Sequence, residues 1–467
     1  MQDHTKEDIL KLIEENNIKI LNLCHIPEDS HLKTLSFAAK NRGRLEEILE
    51  FGERVDGSSL FSYIDPNRSD IYVAPRFGTA FIDPFSPIPA LNILCRYLDE
   101  DGKPLEISPG NILQKAEEKL HSSTGVSLRV LAELEFYLIC KHEETAFPEV
   151  FEKNYHESAP FTKLGDIRNE ILARLENLGF ATKYGHAEVG KFLSGAGYLM
   201  EQHEIELQPE TLTKMAETVT IAKWVARNVC ARHCVSVSFS PKVALEHAGS
   251  GMHLHLCGLK GDRNVIVNAQ GKLTGEAKQM IGGILKFARS LAAFGNTIPP
   301  SYIRFISRKE SPMHIRWGAK NRLALVRIPL WWNHRRPKEA DGCRRTFEYR
   351  GPDPSANSYL LFAGIAVAVQ YGLKNPGEAL KAAADLEVDN ATKKSGRHMV
   401  LPLSCTEAAE SLRKDRKFYE KDGVFPKRVI DGVAGKLESY EDADLWERLA
   451  DKPEKIDELL WSYLTFC

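Results

Sequence analysis

Long apolar runs are missing from this 467-residue chain. The longest, Tyr359 to Val369, falls well short of the about 20 residues a helix needs to cross a bilayer. An excess of charge of one sign is missing too: 62 Lys plus Arg stand against 64 Asp plus Glu, for a formal net charge of −2. That balance gives no electrostatic reason to expect nucleic acid or an anionic membrane as partner. Cysteine is sparse, with nine residues scattered along the chain. Only Cys230 and Cys234 lie close together, and no second pair completes a zinc pattern. The first ten residues are acidic and polar, unlike a signal peptide. These absences lead us to expect a cytoplasmic protein with reduced thiols. No G-x-x-x-x-G-K-[ST], G-x-G-x-x-G, H-E-x-x-H or G-x-S-x-G stretch occurs, so a nucleotide site must be built another way.

What is present is ordinary globular composition, 43% hydrophobic and 27% charged. The length suits about three domains, or two unequal ones. Residues 1–50 read as helix, strand, helix, with Asp8, Ile9, Leu12 and Ile13 on an amphipathic turn and an apolar strand from Ile18 to Leu23. From 51 to 107 short strands alternate with turns at Asp56-Gly57, Asp65-Pro66, Asp83-Pro84 and Asp101-Gly102. Leu91 to Tyr97 is the clearest of these strands. Pro104 and Pro109 mark a boundary before a helix near 110–120, which separates a small unit, 1–107, from a larger one, 108–467. In the larger unit Asp166 reads as the N-cap of a helix carrying Ile167, Ile171, Leu175 and Leu178, with Gly179 at its end. Helical spacing recurs from Leu212 to Val229 and from Met280 to Leu291. Strands fall near 128–140, 183–190, 202–207, 235–240, 252–257 and 344–350.

Several strand segments carry acids or histidines on one face. In Leu131 to Leu138, alternation places Ala132, Leu134, Phe136 and Leu138 on one side and Glu133 with Glu135 on the other. Two such carboxylates on a core-quality strand repel and raise each other's pKa. Met252 to Leu256 likewise sets His253 and His255 on one face, after Gly249-Ser250-Gly251. His186-Ala187-Glu188, Gln202-His203-Glu204-Ile205-Glu206 and Phe347-Glu348-Tyr349-Arg350 add more. Each alone reads as a solvated sheet face. Together they form an oxygen-rich set with imidazoles, which suits Mg2+ or Mn2+ over structural zinc. Arginines follow at 304, 316, 322, 327, 344, 345 and 350. Arg327 sits in an apolar strand, where an unpaired guanidinium is costly. It is either a structural ion pair or part of a clamp on phosphate or carboxylate. Metal-binding acids beside arginines describe phosphoryl transfer with an anionic acceptor.

At this point the chain resembles the glutamine synthetase family, as a divergent relative of its bacterial type I branch, over nearly its whole length. Gly52-Glu53-Arg54-Val55-Asp56-Gly57-Ser58-Ser59, Ser69-Asp70 and Ile82-Asp83-Pro84-Phe85 are similar to the family's N-terminal β-grasp domain. Glu133-Leu134-Glu135, His186-Ala187-Glu188-Val189, Gln202-His203-Glu204, Gly249-Ser250-Gly251-Met252-His253, Asn321 to Pro329 and Glu348 to Pro354 follow in the family's order. The resemblance implies an α+β protein: a β-grasp domain, 1–107, then a catalytic α/β domain, 108–467, whose antiparallel sheet forms a funnel-shaped site. It implies ATP-dependent ligation of ammonia to the γ-carboxylate of L-glutamate through γ-glutamyl phosphate. A γ-glutamyl ligase using another amine, and a weak regulatory homologue, are the alternatives.

The resemblance also assigns roles. Glu135, Glu188 and Glu204 would hold one Mg2+ or Mn2+, and Glu133, His253 and Glu348 a second. His255, Arg327 and Arg345 would face ATP. Arg304, Arg350 and Gly249 would bind the amino acid, with Arg322 on the transferring phosphoryl group. Asp56, Tyr155 and Glu310 would bind and deprotonate ammonium. The implied assembly is a homo-oligomer of two stacked hexamers with sites shared between subunits. Certain positions depart from the family pattern. Ala248 stands where Asn usually precedes Gly-Ser-Gly-Met-His, and Leu60-Phe61-Ser62-Tyr63 replaces a stretch that usually holds Trp. Ala187 interrupts a usual His-His-Glu. The basic residue expected five before Glu348 is Cys343, and the Ser after the His-x-His segment gives way at Cys257.

Overall fold

In the computed structural model, the chain is described at every residue except 1–3, 145, 148–149, 269, 308, 310, 332–342, 389–398 and 466–467. The first part holds strands β1 (Ile20–His25), β2 (Lys33–Ala38), β3 (Glu53–Asp56), β4 (Asp70–Pro75), β5 (Phe81–Ile82) and β6 (Ala90–Leu98). They form one sheet in the order β2-β1-β6-β4-β3, with β5 on β6. β1 runs parallel to β6 and antiparallel to β2. The first helix, Lys6–Glu15, is fixed by a capping box in which Thr5 and Asp8 bond each other's backbone N–H. Ile9, Ile13, Leu21, Leu23, Ile48 and Ile93 share one buried core.

The reading of 1–50 as helix, strand, helix missed β2. Its residues alternate between half-buried and exposed, as on a sheet edge, so no continuous apolar run announces it. At Asp56-Gly57, a side chain on Gly57 would come within 2.8 Å of the Ser69 carbonyl and of Ile64. Only glycine fits where that turn closes on its neighbour strand.

The second part contains β7 (Ser127–Lys141), β8 (Thr182–Leu193), β9 (Tyr198–Leu207), β10 (Glu210–Thr211), β11 (Ser236–Ser238), β12 (Met252–Lys260), β13 (Arg263–Asn264), β14 (Trp317–Ala319), β15 (Val326–Ile328) and β16 (Phe347–Tyr349). The main path of the sheet is β14-β15-β16-β12-β7-β9-β8. It is antiparallel except at the parallel pair β14–β15. As the alternation predicts, Val130, Ala132, Leu134, Phe136 and Leu138 of β7 enter the core.

Behind that face lie the helices Pro109–Thr124, Leu212–Arg232, Gly275–Gly295 and Ser358–Lys374. The apolar run Tyr359 to Val369 belongs to the last of these and is buried. It meets Gly275–Gly295 at unusually close range: a side chain on Gly283 would lie 2.1 Å from the Ala368 carbonyl, and one on Gly372 2.1 Å from that of Gln279. Among the described residues, no helix is long and apolar enough to cross a membrane.

One capping expectation is corrected. The helix carrying Ile167 and Ile171 runs Gly165–Asn177, so Asp166 lies inside its first turn and the N-cap is Leu164. Glu201 takes over the capping chemistry, accepting from the backbone N–H of Lys163 at 2.9 Å and of Leu164 at 3.0 Å. Asp166 still sits where a carboxylate favours the helix dipole.

Candidate active site

The sheet register assembles the polar face. Arg327 of β15 stands opposite Glu348 of β16, which stands opposite His255 of β12. One row on, His253 faces Glu133 of β7, Glu133 faces Glu206 of β9, and Glu206 faces Tyr184 of β8. In the third row Glu135 faces Glu204, and Glu204 faces His186. Because each step along a strand is two residues, all of these side chains share one side of the sheet. The opposite side of β9 carries Glu201 and His203, which bond each other at 3.0 Å. There they form a separate buried cluster with Lys191, 3.1 Å from Glu201.

Glu133 is the hub. Its two oxygens meet His253 Nδ1 at 2.9 Å and His255 Nε2 at 2.8 Å. Burial opposes its ionisation, but the two imidazoles hold its carboxyl well below the ordinary range. This corrects the expectation that Glu133 and Glu135 raise each other. Glu135 alone behaves that way, pushed up to about 8 by burial and by Glu188. Its Oε2 accepts from the Gly251 N–H at 2.7 Å. Glu204 is also raised well above its ordinary value, by burial and then by Glu133 and Glu135. Burial and Arg350 press His253 down to about 4, so it is a neutral imidazole with an available lone pair. His255 is raised, because Glu133 outweighs burial, and its Nδ1 lies 3.1 Å from Thr346 Oγ1.

Three groups place donor atoms within 4.8 Å of one another: Glu133, Glu204 and His253; Glu133, Glu206 and His255; and His186, Glu188 and Glu204. Crowded carboxylates with raised pKa values and a buried Glu206 Oε2 lacking a hydrogen-bond partner are what a divalent cation would relieve. The donor chemistry fits Mg2+ or Mn2+. Glu206 and His186 were not among the expected ligands. The signal was there, since each lies two residues from Glu204 or Glu188 on the same strand face.

Arginines close one rim. Glu348 is fully buried and binds Arg327 Nη1 at 2.7 Å and Arg350 Nη1 in a short contact. Arg304, also buried, donates to the Gly351 carbonyl at 3.2 Å. The Nε–H groups of Arg304, Arg327 and Arg350 are all buried without a partner. Gly249 and Gly251 make room for Arg304: a side chain on Gly249 would lie 3.0 Å from Arg304 Cγ, and one on Gly251 2.7 Å from its Nη2. Ala248 is buried, and its carbonyl accepts from Tyr137 Oη at 2.8 Å.

The remaining expected residues lie apart or at the edge. Tyr155 is 45% exposed, stacked on His156 and 5.4 Å from the His186 ring. Arg345 is half-buried just before β16. Arg322 is exposed on the turn before β15 and pairs with no carboxylate among the described residues. Asp56 is exposed on the first sheet, where it accepts from Ser58 and Ser59 hydroxyls at 2.7 Å each. Those hydroxyls, with the Ser58 N–H, hold it far below the ordinary carboxylate range. Glu310 lies outside the described residues.

Comparison with known proteins follows the same division. Residues 106–444 match the family model described as glutamine synthetase, catalytic domain, and residues 17–100 the one described as glutamine synthetase, beta-Grasp domain. A glutamine synthetase of Pyrococcus abyssi is 33% identical over 403 residues, covering 85% of this chain and 86% of its own. In fold, a solved Plasmodium falciparum glutamine synthetase superposes with a TM-score of 0.79 at 18% identity, covering 96% of this chain and 97% of its own. A ligand-free GmaS superposes with a TM-score of 0.76 at 21% identity, covering 94% and 98%.

Proposed function

The chain belongs to the glutamine synthetase family, a family of ligases, and from that premise we propose that it joins ammonia to the γ-carboxylate of L-glutamate using ATP. The products are L-glutamine, ADP and phosphate. The observation that carries this reading is a set of three guanidiniums, Arg304, Arg327 and Arg350, each with a buried, unpartnered Nε–H beside a carboxylate–imidazole face. Buried donors of that kind call for an anionic ligand.

In this reading Glu135, Glu188 and Glu204 would hold one divalent cation, Mg2+ or Mn2+, and Glu133, His253 and Glu348 a second. Cations bound there supply Lewis-acid neutralisation of phosphate oxygens. Arg304 and Arg350 orient the amino acid, while Arg327, Arg345 and His255 face ATP. The γ-carboxylate attacks the γ-phosphoryl group, giving γ-glutamyl phosphate and ADP, and Arg322 closes over the charge that develops. Asp56, Tyr155 and Glu310 then bind ammonium and take its proton, and ammonia displaces phosphate.

Asp56 is exposed in its own chain, with its charge held by serines. Its exposure leaves it open to a neighbouring subunit, and the assembly in this reading is a large homo-oligomer of two stacked hexamers. A second reading, ligation of another amine, draws on the altered stretch Leu60 to Tyr63 that follows Asp56. The test is phosphate release from ATP by the purified protein with Mg2+ or Mn2+, glutamate and ammonium, with the product identified by mass. Release that needs both glutamate and ammonium and yields glutamine supports the proposal. Release independent of glutamate overturns it.

A further inference from the structure

The two parts of the fold meet around a cavity of about 370 Å³. None of the residues proposed to hold metal, nucleotide or amino acid lines it. Its size falls in the range of small-molecule pockets, roughly 300–1,000 Å³. The first part contributes the turn after β1, from Glu28 to His31, together with Ser62 and Tyr63. The second part contributes apolar walls: Phe294 at the end of Gly275–Gly295, Leu360 of Ser358–Lys374, and Val433 and Leu437 of the helix Lys427–Glu438. Most polar groups around the cavity are spent on the protein itself. Glu28 Oε2 accepts from the Ser62 N–H at 3.0 Å and from its hydroxyl at 3.1 Å. Asp29 holds Lys33 Nζ at 2.6 Å and accepts from the His31 N–H at 2.9 Å. Lys223 Nζ donates to the Pro354 carbonyl, and Asn357 Nδ2 to the Glu28 carbonyl at 3.1 Å. Two donors remain. Tyr63 Oη is buried with no hydrogen-bond partner among the described residues. Lys436, exposed at the rim, pairs with no carboxylate among the described residues.

We propose that this cavity binds a small carboxylic acid with an apolar body, and that the bound acid fixes the turn carrying Asp56. A hydroxyl and an ammonium with no protein acceptor select an anionic acceptor, and a carboxylate has two oxygens to offer them. A buried hydroxyl left unpartnered is costly, so the ligand relieves it. The apolar walls take the body of the molecule out of water, which a phosphate or a sugar would not repay. The turn follows Tyr63 because the chain between them is closed on itself. The N–H groups of Leu60 and Phe61 both bond the Gly57 carbonyl, at 3.0 and 2.8 Å, and the Ile64 N–H bonds that of Phe61 at 3.1 Å. Tyr63 already packs on the second part: a side chain on Gly432 would lie 2.6 Å from its Cδ1. An acid held by Tyr63 against Phe294 and Leu437 therefore ties the Asp56 turn to the larger part. The binding rests on the cavity alone; the effect on catalysis rests on the proposed function.

The test titrates the full-length protein by calorimetry with 4-phenylbutyrate and with its uncharged counterpart, 4-phenylbutan-1-ol. The expected result is one acid per chain, with the alcohol about tenfold weaker. Tyr63→Phe should weaken the acid about tenfold, and Lys436→Met about fivefold, since the lysine is exposed. Lys436→Met should leave the alcohol unchanged. Both substitutions keep the bulk of the side chain, and thermal melts check that each variant is folded. No binding of the acid, equal binding of acid and alcohol, or acid binding that ignores both substitutions would overturn the site. Saturating phenylbutyrate should lower the KM for ammonium about fivefold in wild type. An unchanged KM in protein that binds the acid would overturn the effect on the Asp56 turn. Absence of any ligase activity would count against the proposed function and leave the binding result standing.

Discussion

His255 Nε2 and Glu133 Oε1 lie 2.8 Å apart on the polar face of the central sheet, and the same carboxylate holds His253 with its other oxygen. One side chain thus orients two imidazoles on β12 from β7. Glu133→Gln keeps the shape and removes the charge. Activity should fall about 10²–10³-fold, the cost of losing one preorganised electrostatic group. Mn2+ binding measured by calorimetry should weaken in parallel. Wild-type activity in the variant, or in wild type with excess EDTA, would remove Glu133 from the site.

Metal binding should depend on pH with a definite sign. Glu135 titrates near 8 in the metal-free fold, against about 4.5 when exposed in an unfolded chain. A raised carboxyl stabilises the fold at pH values below 4.5, and that contribution is lost as pH rises through 8. The metal-free protein should therefore lose stability across this window, by thermal melts. Mn2+ affinity should rise over the same range, with protons released on binding. Affinity that is flat from pH 6 to 8 would contradict the crowding of Glu135 and Glu188.

His25 provides a titration remote from this site. Burial presses it down to about 4, and its Nδ1 meets Tyr97 Oη at 2.7 Å. The unfolded chain takes up a proton near 6.5 that the folded one refuses until about 4. Stability contributed by neutral His25 is thus lost as pH falls from 6.5 to 4, by up to about 3 kcal/mol. Urea unfolding at pH 7 and pH 5 should show a smaller difference for His25→Gln than for wild type.

Gly251 packs against both His253 and Arg304, the residues proposed to hold a metal and the amino acid. A methyl group there would sit 2.7 Å from His253 Nε2 and from Arg304 Nη2. Gly251→Ala should leave the far-ultraviolet spectrum unchanged. It should raise KM for glutamate and lower kcat, about tenfold or more together. An unaffected KM would separate Arg304 from the amino acid.

Much of this arrangement was legible in the chain because strand alternation is a strong code. The acids of β7 and the histidines of β12 could be assigned to one face from spacing alone. Which strand lies beside which could not, because register depends on pairings between residues more than a hundred positions apart, such as Glu133 with His253. Alternation alone puts Glu206 on one face with Glu204 and His186 with Glu188, but only the pairing of β8 with β9 sets His186 beside Glu204. Opposite outcomes for Glu133 and Glu135 are a further case: both are acids on one strand, and only three-dimensional neighbours decide that one is ionised and the other resists it. The edge strand β2 lacked an apolar signature. The start of Gly165–Asn177 was misread because its capping carboxylate, Glu201, comes from elsewhere in the chain.

A site shared between subunits, as proposed, would be revealed by complementation. Asp56→Ala and Glu348→Ala should each be inactive alone. Mixed and reassembled in equal amounts, they should regain roughly a quarter of the wild-type activity if sites form between random neighbours. No recovery, together with a fully active monomer on sedimentation, would place the whole site within one chain.

The central claim is that ammonia is the amine. The most direct measurement is kcat/KM for ammonium against methylamine, a polyamine and an aromatic amine, at saturating ATP and glutamate, in wild type and in Asp56→Ala. The account predicts that ammonium is preferred by wild type. It also predicts that Asp56→Ala loses that preference by orders of magnitude while still forming γ-glutamyl phosphate, because a cation site has lost a charge worth about 3–5 kcal/mol. A wild type that prefers a larger amine, or an Asp56→Ala variant as active with ammonium as wild type, would contradict it.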